Sequence, residues 1–143
     1  MQTEDIDLSD FIPDVPIYTF GDWLQSTAEL QERFFDGDPA DLDAEGAISF
    51  ITWNALAAHC EITEMLQEIG WKPWASSRHI NREDALKEIV DVLHFLGNIL
   101  RTLRVSGKEL TEAYREKQTK NALRMINGYD GVKEKCGECG REK

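Results

Sequence analysis

Two short acidic patterns carry the chemistry available to this sequence: Glu61-Ile62-Thr63-Glu64 and Glu88-Ile89-Val90-Asp91. On a helix, a spacing of three places both side chains on one face, a turn apart, where they can share a cation. At ~100° per residue, Glu61, Glu64 and Glu68 fall in a stripe of about 60° that also holds Phe50 and Ala57. Glu88 and Asp91 straddle the phase of Phe95, with Val92 and Ile99 close by. Carboxylates crowded beside apolar surface lose hydration and repel one another, so something positive has to compensate. Hard oxygen donors suit magnesium, which keeps several waters and takes its remaining ligands from phosphates. Either pair alone also reads as ordinary solvated helix surface. Two pairs on consecutive helices, joined by a loop carrying Trp71, Lys72 and Trp74, favour the metal-binding reading.

The elements that must hold these groups are helical. Periodicity near 3.6 residues outweighs strand-like alternation along the whole chain, which predicts an all-α fold of four to five helices. An extended arm is expected to about Pro16, then a helix over Asp22–Phe35, stopped by Asp36-Gly37-Asp38-Pro39. A second helix is predicted from Ala44–Ala47 to Ile69, with Ile48, Ile51, Ala55, Ala58, Ile62, Met65, Leu66 and Ile69 as one apolar stripe. Gly70 is a natural end, and Asn81 reads as the N-cap of a third helix reaching Leu103 or Arg104. Ser106-Gly107-Lys108-Glu109 has capping-box spacing and opens a fourth, ended by Gly128. Residues 1–135 are read as a single domain, with 136–143 a short polar tail. The third helix is apolar almost all around, with Leu86, Ile89, Val90, Leu93, Leu96 and Leu100 on one side and Val92, Phe95 and Ile99 on the other. One small layer cannot cover both sides, so a homodimer is expected to complete the bundle.

Cationic and amide groups follow in order. Tyr114, Lys117, Asn121 and Arg124 recur at spacings of three and four on one face, with Gly128-Tyr129 directly after. Such a face suits phosphate: Lys supplies a point charge, Arg a fork of donors and Asn an orientable amide. It also reads as an exposed basic stripe. Trp74 and Lys72 can form an aromatic wall and a cation near the acids, although tryptophan is as readily a core residue. Asn98, seven residues beyond Asp91, can read a pyrimidine edge or make a plain interior hydrogen bond; Asn54 has the same relation to Glu61. His59 is phased away from the acids, and His94 reads as structural. No serine or cysteine has a convincing base partner, so water is the expected nucleophile.

A net charge of −11 disfavours nucleic acid as a partner, whereas a small nucleotide carrying divalent cations remains compatible. No apolar run approaches the roughly 18 residues needed to span a bilayer, and the acidic first residues do not read as a secretory signal. A cytoplasmic location is expected, with no membrane partner. The three cysteines form no disulfide framework. Cys136 and Cys139 resemble half of a zinc knuckle, to be completed by a second subunit or left as reduced thiols in a loose tail.

The stretch Ala57–Trp74, with Glu61, Glu64, Trp71, Lys72 and Trp74, followed by Glu88–Phe95, resembles the dimeric all-α dUTPases, part of a superfamily that includes the MazG-type pyrophosphatases. The resemblance extends over roughly Ile51 to Asp130. It implies hydrolysis of dUTP to dUMP and pyrophosphate, with attack at the β-phosphorus. It places catalytic magnesium, for which manganese can substitute, on Glu61, Glu64, Glu88 and Asp91. It also implies that the segment of Lys117, Asn121, Arg124 and Tyr129 binds phosphate. A MazG-type or dCTP-directed pyrophosphatase is the nearest alternative, and a non-enzymatic helical interaction module is one of another class.

Overall fold

A computed structural model describes residues 16–127, which are all-helical apart from turns, loops and one isolated β-bridge. Four α-helices run in order: α1 (Phe20–Glu32), α2 (Ala44–Gln67), α3 (Arg82–Thr102) and α4 (Gly107–Asn127), with a 3-10 turn at Pro39–Asp41. The chain divides into two compact units, Met1–Lys108 and Glu109–Lys143. The first holds α1 to α3 and both acidic patterns; the second holds nearly all of α4.

Capping chemistry explains where the helices begin. Helix α1 starts two residues before Asp22 because Thr19 and Asp22 form a reciprocal box. The Thr19 hydroxyl accepts from the Asp22 N–H at 3.1 Å, and the Asp22 carboxylate accepts from the Thr19 N–H at 2.9 Å. The Tyr18 backbone N–H, then the Thr19 side chain, hold the Asp22 acid below its usual value. The helix stops at Glu32, three residues short of the expected Phe35, and the chain turns through Gly37 at φ 109°, a conformation that suits glycine. Asp43 caps α2 by accepting from the Gly46 N–H at 2.8 Å. Asn81 precedes α3 but its side chain caps nothing. Its amide donates instead to Glu68 Oε2 at 2.8 Å and Asp84 Oδ2 at 2.7 Å, tying the start of α3 to the end of α2.

Helices α2 and α3 form an antiparallel hairpin, and α1 packs across α3. The close approach of α1 depends on Gly97: a Cβ there would lie 2.7 Å from Thr27 Cγ2. The interior between these helices is small and partly polar. Ala58 and Ala85 are buried beside Thr27, Asn54, Asn98 and Thr102. Asn54, Asn98 and Thr102 are linked by hydrogen bonds, the Thr102 hydroxyl donating to Asn98 O at 2.8 Å. Fully buried Asn54 donates to Phe50 O at 2.8 Å and accepts from Asn98 Nδ2 at 3.0 Å, while Asn98 Nδ2 also donates to Gln31 Oε1 on α1 at 3.0 Å. Asp38 and Arg101 form an ion pair, with Arg101 Nε 2.9 Å from Asp38 Oδ1, which draws the 3-10 turn onto α3. The guanidinium hydrogen bond keeps the Asp38 acid low.

The expected α2 stripe is only partly covered: Ala58 is buried, yet Ile48 and Ile62 remain 62% and 43% exposed. On α3, Leu86, Ile89, Val90, Leu93 and Leu96 are all exposed. No helix among the described residues is long and apolar enough to cross a membrane.

Candidate metal and substrate site

The hairpin brings three of the four predicted carboxylates together. Glu61 on α2 faces Glu88 and Asp91 on α3, and one carboxylate oxygen from each lies within 4.8 Å of the others. This follows from the antiparallel register, in which Asn54 meets Asn98 further along the same two faces. Glu61 and Glu88 are half-buried and Asp91 is exposed. Desolvation pushes the Glu61 acid above its usual value. A hydrogen bond shared with the Glu88 carboxyl and the charges of Glu64, Asp91 and Glu88 push it further. Two carboxyls drawn into a common hydrogen bond amid other acids form a site short of positive charge. Their hard oxygens fit a magnesium ion.

Glu64 is exposed and stands outside the three-oxygen cluster, although its charge is felt at Glu61. Glu68 is occupied elsewhere, accepting from Asn81. Asp84 is held low chiefly by its hydrogen bond with Lys87, at 2.6 Å. His94 Nδ1 lies 3.8 Å from Asp91 Oδ1, too long for a hydrogen bond but close enough for a charge interaction when the ring is protonated.

Of the other predicted residues within Met1–Lys108, Lys72, Trp74 and Asn98 each have surroundings of their own. Lys72 lines a cavity of about 480 Å³ together with Thr63, Leu66, Gln67, Trp71, Ser77 and His79. Thr63, Leu66 and Gln67 lie about 140° to 240° around α2 from Glu61 at ~100° per residue, so α2 turns a different face to this cavity than to the carboxylates. Trp74 is 77% exposed and meets Trp71 edge to face, with ring centroids 6.2 Å apart. Asn98 is buried, and its amide nitrogen is engaged by Asn54 and Gln31. On α4, Lys117 and Asn121 are exposed and Arg124 half-buried, at spacings that put them on one face. Tyr129, Cys136 and Cys139 lie outside the described residues.

Sequence reasoning missed three features of this region. Gln31 reaches Asn98 from 67 positions away, and no local pattern announces it. Trp53 and Phe95 stack edge to face at 6.0 Å between α2 and α3, a pairing that the register of the two acidic patterns could have suggested. Arg78 bonds two carbonyls of its own loop.

A family model described as dUTPase matches residues 28–106, more than half of the chain, including both acidic patterns and the loop between them. No curated protein and no solved structure matches the chain.

Proposed function

The chain belongs to the dUTPase family, and from that premise we propose that it hydrolyses dUTP to dUMP and pyrophosphate, using magnesium held by Glu61, Glu88 and Asp91 with Glu64 beside them. The observation that carries this reading is the meeting of Glu61, Glu88 and Asp91 oxygens within 4.8 Å, beside a Glu61 acid pushed upward. Magnesium, or manganese in its place, would neutralise the triphosphate and act as a Lewis acid at phosphoryl oxygen.

The chain's own groups then divide the work. Glu61, Glu88 and Asp91 hold the cation. Glu64, one helical turn from Glu61 and outside the cluster, is assigned to take the proton from the attacking water. Lys72, Lys117 and Arg124 hold phosphate oxygens and stabilise charge moving onto the leaving pyrophosphate, with Asn121 and Tyr129 completing that contact. Trp74 shields the nucleotide. Asn98 reads the base through its carbonyl oxygen, since its amide nitrogen is already engaged by two acceptors, and that oxygen accepts from the uracil ring N–H.

Base choice is tested by a panel of nucleoside triphosphates with magnesium. Expected is a preference for dUTP, with dCTP next, and a weaker distinction between the two in Asn98→Ala. Comparable hydrolysis of purine and pyrimidine triphosphates by the wild type would remove the dUTP assignment and favour a MazG-type pyrophosphatase.

We also propose a homodimer, supported by the exposed row Leu86, Ile89, Val90, Leu93 and Leu96 on α3. Light scattering at micromolar concentration should give twice the mass of one chain; a stable monomer contradicts the assignment. The proposed partners are thus a nucleotide and a second copy. The net charge of −11 disfavours a nucleic acid.

A further inference from the structure

The loop joining α2 to α3 is closed at its neck and clasped across its middle. At the neck, Ile69 and Ile80 form an antiparallel bridge, the Gly70 N–H donates to His79 O at 2.8 Å, and the Asn81 N–H donates to Glu68 O at 2.8 Å. Across the middle, Arg78 Nη1 donates to Gly70 O at 2.8 Å and Nη2 to Pro73 O at 3.0 Å. Gly70 and Pro73 bracket Trp71 and Lys72, and Trp74 follows immediately. One planar guanidinium therefore fixes both ends of the segment that carries Trp71 and Lys72, with Trp74 next to its second anchor. A lysine cannot reproduce this, because its ammonium is a point donor without the two-pronged geometry.

We propose that Arg78 is a positioning residue, whose guanidinium holds Lys72 and Trp74 in the orientation used on the triphosphate. This rests on the proposed function in taking those two residues as substrate-binding. Arg78 acts through the loop and not on phosphate, since two of its nitrogens are committed to main-chain carbonyls. A flexible loop would have to order Lys72 at each turnover, whereas the clasp supplies that order in advance.

The test is a double-mutant cycle on the full chain, with magnesium and dUTP. Arg78→Ala should lower kcat/KM about tenfold, with circular dichroism and magnesium affinity unchanged. Amide exchange at Gly70 should quicken. Arg78→Lys should fall between Arg78→Ala and the wild type. In a Lys72→Ala/Trp74→Ala background, adding Arg78→Ala should change kcat/KM by less than about twofold, because its route to substrate is already gone. Independent, multiplying losses would overturn the positioning role, as would a wild-type rate in Arg78→Ala alongside an impaired Lys72→Ala/Trp74→Ala. A wild-type rate in Lys72→Ala/Trp74→Ala overturns instead the substrate role of the loop on which the inference stands.

Discussion

Glu88→Gln and Asp91→Asn should each lower pyrophosphate release from dUTP about a thousandfold, the effect of losing several kcal/mol of charge stabilisation at the phosphoryl oxygens. The helices should persist. Both residues contribute an oxygen to the cluster with Glu61, and neither holds a helix end or fills the interior. Neutralising either one relieves repulsion in the metal-free protein, so its melting temperature at neutral pH should stay constant or rise slightly. The sign follows from Glu61, whose folded-state acid lies above its ordinary value of 4.5. A raised acid favours the protonated fold, so its contribution is full below the unfolded value and is lost as pH rises through the raised one. Added magnesium should stabilise the wild type and leave both variants nearly unmoved. Near-normal turnover in both variants would remove the metal site from the account.

The second large effect is expected at Gly70. A Cβ built there would lie 2.6 Å from Ser77 O and 3.0 Å from both Arg78 Cα and His79 N, all of them main-chain atoms. No side chain can swing away to make room. Gly70→Ala should therefore open the neck of the loop, costing about 1–3 kcal/mol of stability as overpacking does. Displacing Lys72 and Trp74 by about an ångström should reduce kcat/KM on the order of a hundredfold. Thermal melting and steady-state kinetics read the two effects separately. An unchanged kcat/KM would show that the loop's placement is immaterial to turnover.

What could be read from the sequence, and what could not, divides along the range of the interactions involved. Helices α2 and α3 were legible because their helical periodicity is local. The meeting of Glu61 with Glu88 and Asp91 was legible because three-residue spacing on two consecutive helices leaves few other arrangements. That Glu64 stands outside was not legible, since Glu88 and Asp91 have the same spacing and both lie in the cluster. Helix α1 begins two residues before the expected Asp22 because the reciprocal Thr19–Asp22 box sets its start. Asn81 has the type and position of a cap. Its amide serves Glu68 and Asp84 instead, a choice decided by the closure of a loop. The same holds for Arg78 and Gln31, whose partners depend on tertiary approach. Exposure of Ile48 and Ile62 was not legible either, since periodicity marks an apolar face without saying what covers it.

The central claim is that a magnesium-supported carboxylate cluster hydrolyses dUTP between its α- and β-phosphates. Phosphorus-31 NMR of the wild-type protein with dUTP, run with magnesium and again with excess chelator, tests it most directly. The account predicts dUMP and pyrophosphate in equal amounts with magnesium, and no reaction once the metal is removed. Release of dUDP and inorganic phosphate, turnover that survives chelation, or intact dUTP in the presence of magnesium would contradict it.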